Sequence, residues 1–195
     1  RNGYSSEKVD FPTATKTLKL GATTSGKFID SEIKYINEEI PKGSFLWLNN
    51  RDILIQRGNS MDFVGVSAIY NGDSHKFIYP DLMMKLKPVE RISEVCLHHV
   101  LMSPYCREYF RDNATGAQKS MPKIKQGIVS NAMIPFCSQV EQKAIVTKVE
   151  KLLALCDQLE ITIANKQTHA EQLMQAVLKE AFSQNSEQAA ADCNF

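Results

Sequence analysis

At 195 residues, 43% hydrophobic and 23% charged with a net charge of +1, the chain has room for one globular domain plus an accessory element, or for two small domains. No stretch approaches the ~18 consecutive apolar residues of a transmembrane helix, and the near-neutral balance excludes a protein that holds nucleic acid by charge alone. The N-terminal RNGYSSEKVDF has no apolar core of the kind a signal peptide needs, and the missing initiator Met points to a fragment or a trimmed chain. The five cysteines, at 96, 106, 137, 156 and 193, are odd in number and form no CxxC pair, which fits reduced thiols in a cytoplasmic protein.

In chain order, TKTLKLGATTSGKFIDSEIKYI has the pattern strand, turn, strand, with Leu18 and Leu20 alternating around Lys19 and a Thr/Ser-rich loop between Gly21 and Gly26. In SFLWLNNRDILIQRGNSMDFVGVSAIY, Asn49 and Asn50 separate two apolar runs. ILIQ then leads into the polar RGNS, and Val64 to Tyr70 is expected to form another strand. HKFIYP is a short strand closed by Pro80, and DLMMKLKPV alternates Leu82, Met84 and Leu86 before Pro88. SEVCLHHVLMSPYCREYFRDNA is expected to be helical from an N-cap at Ser93, with Pro104 breaking or kinking it. TGAQKSMPKIKQGIVSNAMIP is expected to return as loop and short strand. The whole predicts an α+β fold, its globular domain of α/β type with short strands over residues 1–135, followed by a long coiled-coil-forming helix over 136–183 and a flexible tail over 184–195.

That helix is the most distinctive element. The 44 residues from Gln139 to Phe182 contain neither Pro nor Gly. Ser138 is the expected N-cap, with Glu141 completing a capping box. One apolar row runs Val149, Cys156, Ile163, Ala170, Val177, and the other Ile145, Leu152, Leu159, Lys166, Leu173. Their alternating spacings of three and four form the seam of a helix that meets another helix, with a rise of roughly 66 Å. Lys166, beside Asn165 and Gln167, interrupts the seam. It either fixes register or marks a bend at which the chain folds back as a helical hairpin. Residues 1–135 hold 18 Lys+Arg against 14 Asp+Glu, a balance of +4, whereas residues 136–195 hold 5 against 8, a balance of −3.

Signatures of catalysis are missing: there is no Gly-rich phosphate loop, HExxH, GxSxG or paired cysteine site. His98 and His99 are adjacent on a predicted helix, so their side chains diverge by about 100° and do not suit one metal ion. Polar loops carry residue types suited to DNA. Arg57, Asn59 and Ser60 form one group, and Thr115, Gly116, Gln118, Lys119 and Lys123 a second. Thr24, Ser25 and Lys27 form a third. Lys, Arg and hydroxyl groups contact phosphates, while Arg, Asn and Gln read base edges. The same residues are also ordinary turn formers.

The string IPFCSQVEQKAIVTKVEKLLALCDQLE closely resembles the repeated region of type I restriction-modification specificity (S) subunits. Glu141, Gln142, Ile145 and Val146 match the family's EQ..IV core, and Ile134 and Pro135 its lead-in. RDILIQRGNSMDFVG is similar to the family's GD(I/L)L segment, and Thr115, Gly116 and Gln118 stand at the matching places of its S/T-G-x-x-Q segment. LGATTSGKFID resembles the first strand-loop of a target recognition domain. Two departures are local: Cys137 replaces a common Pro, and Arg51 stands where Gly is usual before Asp52. The resemblance covers one recognition domain and one long helix, the extent of a half-subunit or a C-terminal fragment.

The resemblance implies a non-catalytic subunit, with no cofactor or metal, that reads one half of a split double-stranded DNA target. It further implies pairing through the helix with an identical chain or a second S-type half, docking of methyltransferase (M) subunits on the same helices, and a restriction (R) subunit in the full complex. A dimeric coiled-coil scaffold with a peptide-binding, β-rich domain is the alternative from another class.

Overall fold

The computed structural model describes residues 1–116 and 121–192, with side chains through Lys179 in the last helix. The elements run β1 (Thr15–Leu18), α1 (Gly21–Thr24), β2 (Ile33–Ile36), β3 (Ile53–Gln56), β4 (Ser67–Ile69), β5 (Met83–Leu86), α2 (Glu94–Met102), α3 (Pro104–Asp112), α4 (Gln126–Ser130) and α5 (Gln139–Asp192). β1 and β2 form one antiparallel pair, and β4-β3-β5 form an antiparallel three-stranded sheet, so the fold is α+β.

β3 is the centre of the globular unit. Its four residues ILIQ are all buried, because both faces of its sheet are covered. Ile53 and Ile55 face one core with Met84, and α2 and α3 cover it through Leu97, Leu101, Cys106 and Phe110. Leu54 lies in the opposite core with Leu18, Ala22, Leu48, Tyr70, Tyr79 and Met83. The alternation of side chains along a strand sends successive residues into different cores. The expected strand at HKFIYP is reduced to isolated bridges, Thr17 with Ile78 and Tyr4 with Pro80.

The helix boundaries follow the capping residues. Ser93 accepts a hydrogen bond from the Cys96 N–H at the start of α2. Ser103 does the same for Cys106 at the start of α3, where Pro104 occupies the first turn and needs no N–H partner. Pro104 therefore starts a new helix rather than kinking one. QGIVS, expected to be loop or short strand, is the helix α4, which buries Val129 against the first core. Tertiary packing overrides the β propensity of Ile128 and Val129 here.

Two compact units divide the chain, Arg1–Val146 and Thr147–Phe195. The first turns of α5 thus belong to the globular unit. Ser138 and Glu141 form the expected capping box: the Glu141 N–H donates to Ser138 Oγ at 3.3 Å, and the Ser138 N–H donates to Glu141 Oε2 at 2.9 Å. These bonds to Ser138 pull the Glu141 carboxyl below its ordinary pKa. Gln142 is 3% exposed. Its Oε1 accepts from the Ser93 N–H (2.8 Å), and its Nε2 donates to the carbonyls of Arg91 (2.9 Å) and Cys137 (3.0 Å).

α5 is continuous through Asn165, Lys166 and Gln167, so the chain does not fold back there. Its backbone stays helical to Asp192, past residue 184 where a tail was expected. SQNSEQAAAD contains no Gly or Pro to stop it and is rich in Ala, the strongest helix former. The seam residues Ile145, Leu152, Leu159, Ile163, Leu173 and Val177 are 48–66% exposed. Leu153, Leu155, Ile161, Met174 and Leu178 are exposed as well, so the apolar surface is wider than the two-row seam. No helix among the described residues is long and apolar enough to cross a membrane.

Arg51 has φ 72°, in the left-handed region that favours glycine, and its guanidinium pairs with the Glu94 carboxylate. A glycine at this position would be free of the strain that a Cβ meets there. Arg51→Gly is therefore expected to be about 1 kcal/mol more stable than Arg51→Ala in urea unfolding, with a higher midpoint, since both lose the ion pair and only Ala keeps the strain. Equal midpoints would mean that the turn relaxes out of this conformation.

Candidate nucleic-acid interface

The Arg57–Ser60 group lies on the tip of the β3–β4 hairpin. The Gln56 N–H donates to the Val66 carbonyl at 2.8 Å and the Gly65 N–H to the Gln56 carbonyl at 2.7 Å, closing the hairpin. Gly65 has φ 77°, and a Cβ there would stand 2.6 Å from Phe110, so only glycine fits. Within the tip the Ser60 carbonyl accepts from the N–H groups of Phe63 (3.0 Å) and Val64 (2.9 Å). Arg107, 6% exposed, donates its guanidinium to the carbonyls of Val64 and Asp62. Burial and the neighbouring Arg111 lower its pKa, and the two carbonyls satisfy the charge.

The second group is joined to this tip by backbone hydrogen bonds. Thr115 and Lys123 exchange a pair of N–H···O bonds, both 2.9 Å. Gly58 bridges to Lys123, the Asn59 N–H donates to the Pro122 carbonyl (3.3 Å) and the Ile124 N–H to the Arg57 carbonyl (2.8 Å). Gly116 has φ 97°, the conformation glycine adopts readily. Gln118 and Lys119 lie outside the described residues. Lys123 is exposed.

Gln56 ties in the third group. It is fully buried on the same side of β3 as Leu54. Its Nε2 donates towards the Leu20 carbonyl (3.0 Å), Thr23 Oγ1 (3.0 Å) and Thr24 Oγ1 (3.1 Å), while its Oε1 accepts from Asn59 Nδ2. α1 and the hairpin tip thus share one buried amide. Thr24 also donates to the Leu20 carbonyl, and Asn59 Oδ1 accepts from the Ser60 N–H at 2.7 Å, so both side chains are engaged in shaping the loops. Ser25 Oγ bonds within its own turn, to the backbone N–H and carbonyl of Lys27. Arg57 is half-buried, with Nη1 on the Asp81 carbonyl at 3.3 Å and no hydrogen-bond partner at Nε. The three polar segments far apart in sequence are thereby brought together.

Gln56 and Arg107 were not singled out by sequence reasoning. The signal for Gln56 was a polar residue two positions after Leu54 in an otherwise apolar buried strand. Arg107 gave no comparable signal. His98 is held to β4, its Nδ1 3.1 Å from Ser67 Oγ. Burial, with His99 beside it, pushes its pKa down to about 4. Among the described residues no group of three His, Cys, Asp or Glu could hold a metal ion.

No protein-family model matches the chain. Two curated proteins are similar along most of it. The type I restriction enzyme EcoKI specificity subunit of Escherichia coli (strain K12) is 26% identical over 188 residues, covering 93% of this chain and 39% of that protein. The EcoEI specificity subunit of Escherichia coli is 23% identical over 152 residues, covering 77% of this chain and 25% of that protein.

This chain is similar to type I restriction specificity subunits along most of its length. It spans about two fifths of the EcoKI subunit's length and a quarter of the EcoEI subunit's. The fold agrees. The HsdS subunit from Thermoanaerobacter tengcongensis superposes with a TM-score of 0.64 at 20% identity, over 92% of this chain and 46% of that one. A chain from a structure of type I R-M system assembly and conformational transition superposes at 0.66 with 18% identity, over 93% and 42%. In this chain the EQ pair of the sequence is the capping Glu141 and the buried Gln142.

Gln56→Ala would remove the donor shared by the Leu20 carbonyl and the two threonine hydroxyls, and the acceptor of Asn59 Nδ2. A loss of about 1–3 kcal/mol in chemical denaturation is expected, with faster amide exchange at both Thr24 and Ser60. Exchange that rises in only one of the two loops would show that the amide does not couple them.

Proposed function

We propose that this chain is the DNA-reading part of a type I restriction-modification assembly. The observation that carries the reading is that three polar segments meet, two of them on the buried amide of Gln56 and the third through backbone hydrogen bonds to the hairpin tip, in a chain similar to specificity subunits along 93% of its length. On this reading the globular unit contacts one half of a split duplex target. Arg57, Ser60 and Lys123 offer cationic and hydroxyl donors, and Asn59 and Thr24 hold the loops in shape. The chain itself is non-catalytic and acts in the cytoplasm.

The helix supplies the spacing. α5 pairs with the same helix of an identical chain, or of a second S-type half, and so fixes the distance between two recognition domains. Its apolar surface extends beyond the two seam rows to Leu153, Leu155 and Met174, which leaves area for methyltransferase subunits to dock on the same helices. The restriction subunit joins the resulting complex. The modest +4 balance of residues 1–135 favours full DNA affinity only in the assembly, where other subunits add phosphate contacts.

Fluorescence anisotropy with labelled duplex, in the presence of the methyltransferase subunit, tests the reading. Affinity is expected to fall linearly on a log–log plot against salt, and Arg57→Ala is expected to weaken specific binding by about 1–3 kcal/mol with relaxed preference at one position. No binding to any duplex at low salt with the methyltransferase subunit present would contradict the proposed function. Unchanged affinity and preference in Arg57→Ala would remove that residue alone.

A further inference from the structure

The hairpin tip carries apolar side chains that the polar reading leaves unused. Met61 and Phe63 are each 38% exposed and Met121 is 44% exposed. Met61 and Phe63 are the first and third residues after Ser60, and the Met121 sulfur stands 3.4 Å from where a Gly58 Cβ would be, so all three belong to the tip. A single exposed apolar residue needs no explanation, but three on one loop cluster do.

Their setting is rigid. Arg107 grips the carbonyls of Asp62 and Val64, the residues on either side of Phe63, and Gly65 packs against Phe110 immediately after. Phe63 is therefore presented on a clamped turn rather than on a mobile loop. The charge at the centre of the tip favours a base edge over a phosphate. Arg57 and Lys123 flank the tip, while the exposed Asp62 in its middle repels a phosphate and can accept from a base amino group.

We propose that Phe63, with Met61 and Met121, forms an apolar reading surface that packs against the 5-methyl group of a thymine in the major groove. This rests on the proposed DNA-reading role. Only about a third of the Phe63 surface is open, 38%, which suits contact with a protruding methyl group and not insertion between base pairs. Methyl contact by Phe is one of the few apolar signals that the major groove offers.

The test selects duplexes from a random-sequence library with the full chain and its methyltransferase subunit, then replaces each selected thymine by deoxyuridine, which removes only the methyl. Wild type is expected to lose about three- to fivefold in affinity at one thymine of the half-site, the worth of one buried methyl. Phe63→Ala is expected to bind the thymine and deoxyuridine duplexes equally, with circular dichroism confirming that it folds. Phe63→Leu, which keeps an apolar contact, is expected to retain part of the discrimination. A selected half-site without thymine, or an undiminished deoxyuridine penalty in Phe63→Ala, overturns the assignment while leaving DNA reading intact. Failure to select any sequence overturns the DNA-reading role itself.

Discussion

The unburied apolar surface of α5 is the constraint on which the organisation of the molecule depends. From Leu152 to Leu178 its large hydrophobic side chains are at least half exposed, and none is covered by the described residues. Fully burying one such side chain contributes about 1.5–3 kcal/mol. A helix of 54 residues that leaves a whole row of them in water forgoes most of its packing stability. The sequence nevertheless commits to helix, with no Pro or Gly from Gln139 to Asp192 and a complete capping box at the start. On the proposed reading a second helix covers this surface, and the distance between whatever the two chains carry is then set by helix geometry.

Two buried glutamine amides do the joining within the globular unit. Gln142 binds the start of α5 to the N-terminus of α2 and to the carbonyls of Arg91 and Cys137. Gln56 binds α1 to the hairpin tip. An amide has two donors and two acceptor sites, so one side chain can satisfy several backbone groups at once, and burial strengthens each bond. In both places the result is a loop or helix end whose direction is fixed by polar contacts rather than by apolar packing. Arg107 works similarly at the tip, as a buried fork on two carbonyls. The candidate reading surface is consequently rigid although it is built from turns.

Much of this was legible in the sequence because it rests on local rules. The caps at Ser93 and Ser138, the new start at Pro104 and the strands around Leu18, Ile53 and Met84 follow from short-range chemistry. The ordered resemblance to specificity subunits added the candidate loops, whose contact with DNA is proposed. What escaped was set by tertiary packing. α4 forms because Val129 reaches the core, and HKFIYP keeps only bridges because its neighbours are separate single contacts. The convergence on Gln56 joins residues separated by more than thirty positions, from Leu20 to Gln56, and no local pattern encodes that. The width of the apolar surface on α5 was understated because the heptad reading kept only two rows and set aside Leu153 and Met174.

Sedimentation velocity on the full chain at tens of micromolar tests the pairing of α5 most directly. A dimer is expected, with dissociation favoured when Leu152 and Leu159 are both replaced by Glu while the far-ultraviolet helix signal of the globular unit persists. A stable wild-type monomer that retains the full helix signal in the same sample would contradict self-pairing and leave the apolar surface to a different chain.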